Sequence, residues 1–190
     1  MRLLNIGGHV TIDAKEKSMK LELLIDDNCK IIIRNTRNNI YSPSDGLLSV
    51  LINNRQYRIV QMPMEDLLFE LYTTLEAIEK SEPLNKDMAG TVFFKCHKSF
   101  DIDDDIYDKL SAYSWLDGIR TGAFLYPVDT QRYIIEFYLI CHNSYEQYYK
   151  KRNVKLLDCC EIEKGVIDGW VLLMKNKLDF NYTCRKSVSG

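Results

Sequence analysis

Two Cys-His dipeptides, Cys96-His97 and Cys141-His142, are the first residues in this chain whose types could do chemistry. Each closes a segment of strand-like composition. Neighbouring strands would therefore bring two thiols or two imidazoles to one face, as a partial zinc site or a thiol–imidazole pair requires. Side chains alternate along a strand, so one member of each dipeptide points away, and a tetrahedral set needs Cys29, His9 or Cys159 as well. The chain has no CxxC pair, and Cys159-Cys160 is vicinal. Free cysteines mostly pack as small hydrophobes. The reading is no metal and no cofactor, with a small enzyme or metal-binding protein built on the Cys-His pairs as the alternative.

Asp101, Asp103 and Asp105 match the opening of a calcium loop, but Ile106 and Ala112 occupy the positions that need Gly and Glu. What remains is a helix start, where carboxylates satisfy backbone N–H groups and suit the positive dipole end. Walker loops, dinucleotide fingerprints, nucleophile elbows and HExxH are absent from the sequence. Tyr145, Tyr148 and Tyr149 interleave with Lys150, Lys151 and Arg152 as a single-strand nucleic-acid platform would. A net charge of −2 and a pI of 6.0 lack the electrostatic footprint of such a protein, so no nucleic-acid partner is expected. Apolar runs such as Tyr133–Cys141, broken by Glu136, fall short of the roughly 20 residues that span a bilayer, and no membrane association is expected. Six cysteines without a secretory leader fit a reducing cytoplasm.

The charge distribution is the feature that sets this sequence apart. Residues 61–118 hold 13 Asp+Glu against 5 Lys+Arg, whereas residues 1–60 and 119–190 are each net positive. Unpaired carboxylates are too costly to bury, so these must lie mostly outside. Two helices on one side of a sheet would join them into one acidic face that steers a basic protein partner, with aromatic side chains as anchors. The expected contact residues are Glu65, Asp66, Glu70, Glu76, Glu79, Asp101, Asp103, Asp104, Asp105, Tyr107, Asp108, Tyr113, Trp115 and Asp117. No residue is assigned a catalytic role.

The elements that position these groups read as an α+β fold, an antiparallel sheet of about 5–7 strands with 3–4 helices packed against it. Met19–Ile25 and Lys30–Arg34 flank Asp26-Asp27-Asn28 as one hairpin; Leu47–Ile52 and Arg55–Val60 flank Asn53-Asn54 as another. Leu3–Ile12 supplies a fifth strand. Met64, Leu67, Leu68, Leu71, Leu75 and Ile78 keep helical spacing between Pro63 and Pro83. Gly90–Cys96 reads as a strand, Asp103–Tyr113 as a helix with Ile106, Leu110 and Tyr113 inward, and Gln131–His142 as a central buried strand. Ser144–Arg152 reads as a short capped helix, Val154–Ile162 as a strand, and Val166–Met174 as a helix despite Gly165 and Gly169. No linker interrupts this series. One domain over 1–178 is expected, with 179–190 a polar tail.

The stretch Asp101-Ile102-Asp103-Asp104-Asp105-Ile106-Tyr107-Asp108, together with the helix from Glu65 to Glu79, gives the chain a resemblance to bacterial immunity proteins, which neutralise polymorphic or contact-dependent toxins. It is a resemblance of type: small size, one domain, a concentrated carboxylate surface, many tyrosines. It implies a non-catalytic cytoplasmic protein whose acidic face occludes a basic, often nucleic-acid-cleaving toxin domain. A structural or scaffold subunit is the remaining alternative.

Overall fold

Asn53 and Asn54 both adopt positive φ, 49° and 63°, the backbone that a two-residue hairpin turn demands and that Asn tolerates. The computed structural model describes residues 8–13, 18–35, 45–99, 104–118, 120–140 and 154–188. Within them the turn joins β4 (Asp45–Ile52) to β5 (Arg55–Pro63). The preceding hairpin joins β2 (Ser18–Leu24) to β3 (Cys29–Asn35). There the Asp26 carboxylate accepts the N–H groups of Asn28 and Cys29 at 2.6 and 2.8 Å. With β1 (Gly8–Asp13) these strands form a five-stranded meander in sequence order, as the sequence predicts.

Period-two alternation sorts this first sheet into two faces. Leu21 pairs with Ile33 and Ile33 with Leu48, Leu23 with Ile31 and Ile31 with Val50, all essentially inaccessible to water. The opposite face is more polar: Glu22 takes Lys20 and Lys30 at 2.6 and 3.1 Å, and Gln56 donates to the buried Ser49 hydroxyl at 2.7 Å. Helix α1 (Met64–Glu79) buries every apolar position of its predicted stripe. A Cβ on Gly46 would lie 3.0 Å from Leu67 and 3.1 Å from Met64, so α1 closes on β4 there.

The remaining elements are α2 (Val92–Ser99), α3 (Asp104–Ser111), β6 (Ser114–Leu116), β7 (Thr121–Pro127), β8 (Arg132–Ile140), β9 (Val154–Glu163) and α4 (Lys164–Val188). Strands β6 to β9 form a second antiparallel sheet in sequence order. β8 is central and buried over Tyr133–Tyr138, as expected. α4 forms despite its two glycines because Ile167, Trp170 and Met174 are fully buried, and it runs on through the segment read as a tail.

Two sequence expectations change. Residues 90–96 are not a strand: from Val92 the chain is helical, and α2 and α3 pack on each other. Ile106 does not point inward; it is 45% exposed, because only the last turn of α3 reaches the apolar cluster through Leu110. The chain divides into two compact units, the first built from Met1–Gln56, Gln61–Glu76 and Gly165–Gly190, the second from Tyr57–Val60 and Ala77–Lys164. The divisions run through β5 and α1, so no linker composition marks them. The helix expected over Ser144–Arg152 lies outside the described residues.

In the second unit one apolar cluster joins Val92, Phe93 and Cys96 of α2, Leu110 and Tyr113 around the end of α3, and Phe124, Tyr126, Ile134 and Tyr138 of the sheet. The Tyr138 ring crosses Gly122, its cross-strand partner: a Cβ there would sit 2.3 Å from Tyr138 Oη and 2.4 Å from the Leu116 carbonyl oxygen. Gly122→Ala is therefore expected to cost about 3 kcal/mol or more, since the backbone oxygen cannot move aside. Gly165→Ala, with nothing within 4 Å of the added carbon, should leave the unfolding midpoint unchanged or raise it. Thermal and urea unfolding of the two variants beside the parent checks both.

Candidate functional site

The phase of α1 decides which of its carboxylates meet solvent. Met64, Leu67, Leu68, Leu71 and Leu75 take the inner face, so residues half a turn away must take the outer one. Asp66 and Glu70 are exposed and Glu65 is half-buried. Between them stands Phe69, 59% exposed, one turn from Glu65 and Thr73. Glu76 continues the outer face and accepts the Tyr72 hydroxyl at 2.6 Å. All of these belong to the first unit. They form an acidic strip with an aromatic side chain at its centre.

The other described contact residues belong to the second unit. Glu79, in the second unit, accepts Lys164 Nζ at 2.9 Å. Asp105 and Asp108 are exposed on α3, in the second unit with exposed Ile106 and Lys109 beside them. Asp117 is exposed, although local loss of water pushes its carboxyl above the usual range. Asp101 and Asp103 lie outside the described residues, as do the side chains of Asp104 and Tyr107. The premise of two acidic helices on one sheet is corrected, since there are two sheets and α1 and α3 fall largely in different units.

Tyr113 and Trp115 are corrected as surface anchors: they are 3% and 4% exposed. Tyr113 packs edge-on to Tyr126 and donates its hydroxyl to the Glu82 carbonyl at 2.6 Å. Trp115 sits in β6 with its neighbour Leu116 also buried. Phe69, by contrast, is an exposed aromatic side chain within the strip. The helical phase that buries Leu67, Leu68 and Leu71 was the signal for it.

Cys96, the one member of the Cys-His pairs whose side chain is described, does not behave as a reactive thiol. Cys96 lies on the buried side of α2, where desolvation pushes its thiol up to about 11. The His97 side chain, Cys141 and His142 lie outside the described residues.

One charged residue missed as a site is Glu136, in the middle of β8 and 1% exposed. Its Oε1 accepts the Phe93 N–H at 3.0 Å, in the first turn of α2, while Oε2 has no hydrogen-bond partner among the described residues. The amides of Gly90 and Val92 also favour its charged form, but burial dominates and raises the carboxyl to about 7. Cys159 lies directly across from Glu136 in the β8–β9 register; its thiol is pushed up to about 11 by burial and then by the Glu136 charge. Tyr126, two residues from Glu136's other cross-strand partner Phe124, is fully buried with its hydroxyl unpaired. A lone acid inside an otherwise apolar strand was the signal available in the sequence.

Compared with protein-family models, with curated proteins and with solved structures, the chain gives no match. At pH 8 the raised thiols of Cys96 and Cys159 leave roughly a thousandth as thiolate, so alkylation by iodoacetamide in the native protein should run about a hundredfold slower than in urea. Peptide mass mapping over time checks this, and rapid native labelling of either residue would contradict the burial described.

Proposed function

We infer that the protein is a non-catalytic cytoplasmic inhibitor that binds a basic protein stoichiometrically, in the manner of the bacterial toxin-immunity proteins it resembles. The observation that carries the reading is Phe69, a large apolar side chain 59% exposed inside the acidic strip of α1. Leaving such a ring in water forgoes roughly 2 kcal/mol of burial, which a partner with an apolar pocket recovers. Asp66 and Glu70 flank it, with Glu65 and Glu76 along the same face. They supply the charge that steers a cationic surface into register and rejects an acidic one. Asp105 and Asp108 on α3 add a second patch of the same sign. A nucleic-acid-cleaving domain suits this chemistry because its substrate-binding surface is basic and is blocked by carboxylates that stand in for phosphates.

Thiol or metal catalysis is the weaker reading, since burial suppresses the Cys96 nucleophile. A scaffold subunit with an apolar interface would not need carboxylates around its anchor.

The test is kinetic. The tagged chain captures its partner from its own cells; mass spectrometry identifies it, and association is followed at several salt concentrations. A basic protein is expected. The double variant Asp66→Lys/Glu70→Lys should slow association about tenfold at low salt and flatten its salt dependence. Phe69→Ala should leave association nearly unchanged and speed dissociation about tenfold or more. Parental rates in both variants would end the proposal.

A further inference from the structure

α2 begins without the usual local cap. Its N-cap residue is Thr91, whose carbonyl accepts the Lys95 N–H, but the Thr91 hydroxyl donates back to the Met88 carbonyl at 2.7 Å. That hydroxyl does not serve the first turn. The acceptor comes instead from Glu136, 43 residues further along the chain, which reaches up from the sheet to the Phe93 N–H. Gly90, at φ +72°, turns the chain so that its own amide also faces this carboxylate; a Cβ there would meet Leu156 at 3.1 Å. The irregularity in β8–β9 pairing, where Phe137 opposes Asp158 and Tyr138 opposes Leu156, keeps Leu156 and Cys159 on this face together.

The carboxylate thus faces amides on one side and Phe93, Phe124 and Tyr138 around it, and among the described residues no cation hydrogen-bonds either oxygen. Lys95, exposed on α2, acts on it only through space. Besides the Tyr138 phenol on β8 itself, the titratable side chains facing it are Cys96 from α2, Tyr126 from β7 and Cys159 from β9. Burial pushes all three up, so they stay neutral across the physiological range. The change of charge within this buried group belongs to Glu136.

We propose that Glu136 is a proton-operated latch on α2: protonated, it holds the first turn of the helix against the second sheet; ionised, it favours a locally open state in which residues 90–99 lift and water reaches the carboxylate. The neutral form keeps a carbonyl oxygen for the Phe93 N–H and gains an O–H donor on the face where Tyr126 Oη also lacks a partner. The ionised form keeps the amides but leaves a charged oxygen unsolvated, which is the costly case inside a protein. The latch uses residues of the second unit alone.

The sign follows from linkage. A carboxyl held near 7 when closed and near 4.5 when open binds its proton more tightly in the closed state. Closure is strongest in acid and is lost as pH rises through 7. The opening constant should grow about tenfold between about pH 6 and pH 8.

Amide hydrogen exchange of the intact chain, corrected for the intrinsic pH dependence of exchange, measures this at residues 92–96, with the β8 amides as internal reference. The parent should show the tenfold rise there and not in β8, and Glu136→Gln, which keeps an acceptor and cannot ionise, should show none. A rise of equal size in Glu136→Gln, or no rise in the parent, overturns the latch. Should the variant fail to fold, the carboxyl carbon-13 resonance of Glu136 in the parent decides. A midpoint near 7 that coincides with the opening upholds the latch; a midpoint in the ordinary glutamate range overturns it.

Discussion

A carboxylate placed among aromatic rings, with backbone amides but no counter-ion in contact, is the constraint on which the second unit depends. Two demands meet at Glu136. The first turn of α2 presents N–H groups that need an acceptor once the helix is buried. The centre of β8 lies between β7 and β9 and has no route to water. Joining them satisfies the helix and leaves one oxygen of the acid without a partner. An unsatisfied buried polar atom costs about 1–3 kcal/mol, so the arrangement persists only because the surrounding cluster of Val92, Phe93, Leu110, Phe124 and Tyr138 outweighs it.

This long-range cap also explains which parts of the fold were legible in the sequence. The two hairpins, α1 and β8 carry their own signals: a two-Asn turn, a helical apolar stripe, a β-branched and aromatic run. Their structures follow those signals closely. Residues 90–96 carry a misleading one, since Thr91-Val92-Phe93-Phe94 has strand composition and its cap lies in another element. Helical geometry wins there because it turns Val92, Phe93 and Cys96 to one apolar cluster while the Phe93 amide reaches Glu136. β7 was illegible for a related reason. Thr121–Pro127 is buried on both faces, so it shows no polar alternation, and it contains a glycine that the Tyr138 ring requires.

The acidic surface was legible as composition and only partly as geometry. Clustering of carboxylates in residues 61–118 could be counted from the sequence. Their separation into two sets could not, because the division between units passes inside β5 and α1, where periodicity continues unbroken. The outward placement of Phe69 was recoverable. Once α1 is phased by Leu67, Leu68 and Leu71, position 69 must face outward, and an aromatic residue there is exposed whatever its preference. Tyr113 and Trp115 had no such phase to place them. Tyr113 lies past the end of α3, and its phenol donates to the Glu82 carbonyl.

Carboxylates in this protein thus act in two physical regimes, and neighbourhood alone separates them. On α1 the charges remain hydrated; each contributes little to stability, is screened beyond roughly 8–10 Å in physiological salt, and can be spent on orienting a partner. At Glu136 the side chain is 1% exposed, and burial raises the same group to about 7. The cysteines follow the second regime as well. Cys96 and Cys159, each raised to about 11, are held as neutral packing by the same low-dielectric face that holds Glu136. A thiol mechanism would need this face opened and its charges rearranged, whereas a binding role needs only the α1 strip as it stands.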